Sequence, residues 1–159
     1  MKKTITITLI TALISFIFLS IPVSATTADN TERTIEYLDN GDYIETIITD
    51  DTLDSGISLY ATNTITKTKT KYYKNSSGTV LWSVSIKATF SYNGSTSTCT
   101  SCSHSTTSPG ASWYIKTSSH SKSGNTATAK ATATHTTISG SADYTRSVTI
   151  KCSATGVVS

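Results

Sequence analysis

Cysteine and histidine are the side chains of this sequence best suited to chemistry. Three cysteines (Cys99, Cys102, Cys152) and three histidines (His104, His120, His135) occur in 159 residues. The stretch "CTSCSH", residues 99 to 104, sits among serines and threonines. A C-x-x-C pair does redox chemistry when a helix N-terminus inside a βαβ unit lowers one thiol pKa. No such pattern surrounds Cys99 and Cys102. In an extended strand, residues three apart face opposite sides and exceed the Cα separation of roughly 4.4–6.8 Å that a disulfide needs. Zinc would need four convergent ligands from these cysteines and histidines. Alternation sends His120 outward and His135 inward and leaves His104 in a loop, so no metal site is expected.

Catalysis is disfavoured on the same grounds. Asp143 is the only carboxylate side chain after Asp54. Nucleophilic catalysis would need a serine, a histidine and an orienting acid, and Asp143 is the one acid the main part offers, while the abundance of serine makes any apparent triad uninformative. The expectation is a nonenzymatic protein with no catalytic residue, no metal and no cofactor.

These side chains must be positioned by strands. In "TVLWSVSIKATFSYNG", Val80, Trp82, Val84, Ile86, Ala88, Phe90 and Tyr92 alternate with Leu81, Ser83, Ser85, Lys87, Thr89 and Ser91. That period of two marks a half-buried strand with its even residues in the core. A two-residue Asn93-Gly94 turn would oppose Tyr92 to Ser95, Phe90 to Ser97 and Ala88 to Cys99, so Cys99 is expected to face the core. Cys102 then points outward or lies in a loop.

A three-residue loop, Ser76 to Gly78, would oppose Tyr72 to Trp82 and Thr70 to Val84, placing Lys67, Lys69 and Lys71 on the outer face. A loop over residues 123 to 125 pairs Trp113 with His135 and Ile115 with Ala133, and puts Ala127, Ala129, Ala131 and Ala133 on an apolar face. The last strand carries Val148, Ile150 and Cys152 on one side. Cys99 and Cys152 are therefore the expected disulfide. Closing about 53 residues would add ~4 kcal/mol in the loop-entropy picture. Cys102 is left as a free thiol or a link between two copies.

The N-terminus sets the compartment. Lys2 and Lys3 precede an apolar run from Ile5 to Val23, and small residues end at Ala25, the pattern of a signal peptide over residues 1–25. Secretion follows, and no later apolar stretch is long enough for a stable membrane span. Residues 26–62 form an acidic N-terminal segment: "TIEYLDNGDYIETIITDD" reads as a hairpin turning at Asn40-Gly41, followed by a linker. Residues 63–159 form the main domain. The fold class expected is all-β, an antiparallel β-sandwich of about six to eight strands.

Charge is partitioned between these parts. From Thr26 to Asp54, nine acidic side chains face only Arg33; from Ser55 onward, nine lysines and Arg146 face only Asp143. Either two complementary surfaces pack together, or an acidic pro-segment masks a basic domain. The densest basic run, Lys67, Lys69, Lys71, Tyr73 and Lys74, is the expected binding surface. Its partner would be an anionic cell-wall polymer or another surface component. Nucleic acid is excluded by export, although lysines interleaved with aromatics imitate such a site. The alternative is a secreted toxin or antimicrobial factor acting on membranes, since alternating Ser/Thr strands also occur in β-pore-forming toxins.

The export signal, "YLDNGDY", "LWSVSIKATFSYNGSTSTC" and "VTIKCSATGVVS" together resemble a group of small secreted β-rich proteins of Gram-positive bacteria. That resemblance implies location and fold, and no site residue. Cys99, Trp113 and Cys152 are also spaced similarly to the Cys…Trp…Cys of immunoglobulin domains, where a tryptophan packs on an intersheet disulfide. The position two before Cys152 holds Ile150, not the tyrosine of those domains.

Overall fold

The computed structural model describes residues 31–51 and 62–159. The expected signal segment at 1–25, and residues 52–61 of the expected linker, lie outside the described residues. Eight antiparallel strands and no helix occur among the described residues: β1 (Glu32–Tyr37), β2 (Tyr43–Asp50), β3 (Asn63–Lys74), β4 (Val80–Tyr92), β5 (Ser97–Thr107), β6 (Trp113–Ser123), β7 (Thr126–Thr137) and β8 (Gly140–Lys151). Strands β1 to β5 form one sheet and β6 to β8 a second, each in chain order. This is the expected all-β sandwich.

Alternation builds the core. Trp82, Val84, Ile86, Ala88 and Phe90 of β4 are each at most 1% exposed. They face Ala127, Ala129, Ala131 and Ala133 of β7 with Val148 and Ile150 of β8 in one buried cluster. Methyl side chains along β7 let the small sheet approach β4 closely, while each large side chain buried there contributes roughly 1.5–3 kcal/mol. The tail closes one end: Val158 bridges back to Cys152 and is buried. A Cβ on Gly156 would lie 2.5 Å from ring carbons of Tyr92, so only glycine fits there.

The acidic hairpin belongs to the larger sheet. β2 pairs with β3 from Tyr43↔Lys74 to Asp50↔Lys67. Its turn is wider than expected: Gly41 N–H donates to the Leu38 carbonyl at 3.0 Å, and Gly41, with φ +83°, is the residue that takes the left-handed conformation. Asn40 keeps a negative φ, so the turn is a three-residue loop instead of a two-residue primed turn.

Three β-bulges decide which way the remaining side chains point. After the expected Ser76–Gly78 loop, Lys74 pairs with Val80 but Tyr73 pairs with Trp82, leaving Leu81 unpaired. In β5, Phe90 pairs with Cys99 but Thr89 with Ser101, leaving Thr100 unpaired. In β6, Ile115 pairs with Ala133 but Thr117 with Thr132, leaving Lys116 unpaired. An extra residue changes parity for everything beyond it. Tyr73, Lys71, Lys69 and Lys67 thus oppose Trp82, Val84, Ile86 and Ala88, on the inner face, which overturns the expected outer placement of the lysines.

Candidate functional site

The five-stranded sheet is wider than the three-stranded one, so the inner face of β1 to β3 extends past its cover. The register stacks this face in rows: Glu32–Ile48–Lys69, Thr34–Thr46–Lys71 and Glu36–Ile44–Tyr73. A groove of about 360 Å³ opens there, lined by Glu32, Thr34, Glu36, Thr46, Ile48, Lys69, Lys71 and Ser159. Ile44 and Ile48 are buried, and Lys69 and Lys71 are half-buried. The lysines oppose Ile86 and Val84 in the ladder, so their aliphatic stems sit at the core margin while the ammonium groups reach the groove.

The remaining members of the expected binding surface have other roles. Tyr73 is 4% exposed and belongs to the core; its hydroxyl donates to Asp42 Oδ2 at 2.9 Å. Burial first, and then Asp42, push its pKa up. Lys74 turns to the outer face and pairs with Glu45 at 2.5 Å, with Arg33 on the same carboxylate. Lys67 pairs with Asp50 at 3.4 Å, and Lys87 of β4 with Asp51 at 3.2 Å. Charge complementarity between the acidic segment and the main domain is therefore realised inside one sheet.

Lys69 and Lys71 differ from these. Among the described residues neither has an ion pair within 4 Å. The Lys69 pKa is lowered, by burial first and by Lys71 second, with Glu32 opposing. The groove thus holds two lysines without an ion pair within 4 Å, with the carboxylates of Glu32 and Glu36 in the same lining. Sequence reasoning found these two lysines but put them on the wrong face, and it missed Glu32, Glu36 and Thr46, whose signal is their position opposite Ile44, Ile48 and Lys71.

The cysteines are all free thiols. Cys99 and Cys152 are buried at the tail end of the core, as expected from parity, but the expected Cys99–Cys152 bond is absent. Each Sγ is turned toward its own strand, Cys99 donating to the Ser101 carbonyl and Cys152 to the Ser153 carbonyl, both at 3.3 Å. Cys102 does not point outward. The bulge at Thr100 turns it inward opposite Ala88, half-buried. The Cys99 pKa is raised by burial and by the neighbouring Cys102; burial raises that of Cys152 while Ser97 opposes. Both buried thiols are thereby held protonated and unreactive.

Trp113 is distant from this end of the sandwich. Its ring stacks on His135 at 4.5 Å and meets Tyr73 at 5.3 Å and Tyr144 at 5.0 Å. The immunoglobulin-like spacing therefore does not translate into a tryptophan packed on a disulfide. His135 faces inward as expected. His104 lies within β5, not in a loop, and His120 faces inward opposite Ala129, not outward. Compared with protein families, with curated proteins and with solved structures, the chain matches none of them.

Proposed function

We propose that this is a secreted, nonenzymatic binding module that holds an anionic wall polymer along the inner face of β3, with Lys69 and Lys71 as the cationic contacts. The observation that supports it is the pair of half-buried lysines lining the groove, neither with an ion pair within 4 Å among the described residues, beside Glu32 and Glu36. A phosphate or carboxylate placed there would relieve both the repulsion between the ammonium groups and the cost of their partial burial. Thr34 and Thr46 supply hydroxyls beside them, and Ile48 an apolar floor. Lys67 and Lys74, already neutralised by Asp50 and Glu45, hold the acidic hairpin to the sheet.

The full chain should be retained on purified Gram-positive cell walls at low ionic strength and released as salt rises. Lys69→Gln with Lys71→Gln should weaken retention roughly tenfold if each contact supplies about 0.7 kcal/mol. Lys130→Gln, on the outer face of β7, should change little. Absence of retention at low salt, or equal retention of the double variant, rejects the reading. Leakage of dye from anionic vesicles without wall binding would favour a membrane-active protein instead.

A further inference from the structure

Two bulges converge on one seam. The unpaired Thr100 turns Cys102 and His104 of β5 inward, and the unpaired Lys116 turns Ser118, His120 and Lys122 of β6 inward. β5 and β6 are edge strands of different sheets, so the seam is where one sheet meets the other. His104 Nδ1 lies 2.6 Å from His120 Nδ1, and His104 Nε2 lies 3.1 Å from Ser118 Oγ. The rings are tilted by 43° with centroids 4.7 Å apart.

We infer that His104 and His120 form a two-imidazole site for Cu²⁺, clasping β5 to β6. A contact between two Nδ1 atoms requires one of them to present a lone pair to the other. With Ser118 Oγ accepting the Nε2–H of His104, the lone pair of that ring lies on Nδ1 and faces His120. Moving the His120 proton to its Nε2 leaves two Nδ1 lone pairs facing each other, which a metal can share once both rings swing aside from the line joining the nitrogens. Ser118 then does what an outer partner of a ligating histidine does, fixing tautomer and ring orientation.

The geometry is close to what a metal requires. At metal–nitrogen distances of about 2.0–2.1 Å, two adjacent ligands lie roughly 2.9–3.3 Å apart. The nitrogens need to part by only a few tenths of an ångström, within the range of small side-chain rotations. His120 is exposed and His104 half-buried, so a metal can enter. The nearby cation is held away from the pair: Lys122 Nζ donates to the carbonyl oxygens of Cys99 and Thr100. Among the described residues no group of three or more His, Cys, Asp or Glu side chains converges, so water completes the coordination. Two imidazoles with water suit tetragonal Cu²⁺ best, in line with its place at the top of the divalent series.

The test is titration of the full chain with Cu²⁺, followed by calorimetry and by electron paramagnetic resonance of the Cu²⁺ form. One equivalent should bind with a resonance showing two nitrogen ligands, and the melting temperature should rise with metal concentration. His104→Gln and His120→Gln should each weaken binding at least tenfold, Ser118→Ala about tenfold, and Cys102→Ser and His135→Gln not measurably. Failure of the wild-type chain to bind Cu²⁺ overturns the site, as does undiminished Cu²⁺ binding in the folded double histidine variant. Should the double variant not fold, a wild-type resonance lacking two nitrogen ligands is enough to reject it.

Discussion

Tyr73 lies opposite Trp82 across the β3–β4 ladder, with ring centroids 6.3 Å apart and planes inclined by 26°. Their pairing exists because Leu81 is left out of the ladder, which moves every odd residue of β3 to the inner face. Trp113 and Tyr144 complete an aromatic cluster around Tyr73, and Arg146 lies over its ring at 5.8 Å. This cluster packs β3 against the small sheet two residues from Lys71.

Replacing Tyr73 by alanine should cost about 3–5 kcal/mol, as for other large aromatic truncations in a core. Tyr73→Phe should cost about 1 kcal/mol, the worth of the bond to Asp42. Urea unfolding would read both as a lower midpoint with unchanged slope. A tyrosine on an exposed face would be nearly silent in the same measurement, so the two placements are separable.

Glu45 ties β1, β2 and β3 together on the outer face. Its pKa is lowered, chiefly by the hydrogen bond from Lys74 and against the cost of its burial. A carboxylate with a lowered folded-state pKa adds stability that is complete above its unfolded value, about 4.3, and disappears as pH falls through the folded value. Glu45→Gln should therefore be less stable than the wild type by roughly 1–3 kcal/mol near pH 7. The gap should close as the pH is lowered below about 4. A gap that stays constant down to pH 2 would show that the ionised carboxylate is not what the hairpin uses.

Thiol labelling distinguishes the three cysteines. Under native conditions Cys102, half-buried, should react first; Cys99 and Cys152, buried with raised pKa values, should react only after denaturation. Mass spectrometry with and without denaturant reads the sites directly. Rapid native labelling of Cys152 would mean that the folded-back tail at Val158 does not cover it.

Much of the fold is legible in single residues. The even face of β4 and the alanines of β7 follow from a period of two, and the pairings Trp113↔His135 and Ile115↔Ala133 are the ones expected from a three-residue loop. Cys99 faces the core even though its register was displaced. Asn93 to Thr96 form a four-residue connection, so Phe90 opposes Cys99 where the two-residue turn opposed Ala88. A slip of two residues keeps the face, whereas a slip of one reverses it. The candidate site was less legible. On β3, β5 and β6 the parity of the lysines, Cys102 and the histidines depends on single unpaired residues.

Near Ser123 the same arithmetic is visible in both directions. The turn between β6 and β7 is one residue shorter than expected, with Ser123 pairing to Thr126, and the bulge at Lys116 restores the difference. Trp113 and Ile115 are therefore correctly placed from the sequence, while His120 between turn and bulge is reversed.

Alternation of apolar and polar residues by itself determined that this chain folds as antiparallel strands around the residues of β4, β7 and β8, because burial of a continuous apolar face admits few other solutions. Only the tertiary structure decided where the ladder skips Leu81, Thr100 and Lys116. A bulge leaves no mark in the serine, threonine and lysine runs of β3, β5 and β6, since either face of such a strand can meet water, and at Leu81 both neighbours, Val80 and Trp82, are apolar, so the pattern is equally silent. Its position is set by twist and by the fit of two sheets of unequal width. That fit brings Lys69 and Lys71 to the groove and His104 to His120.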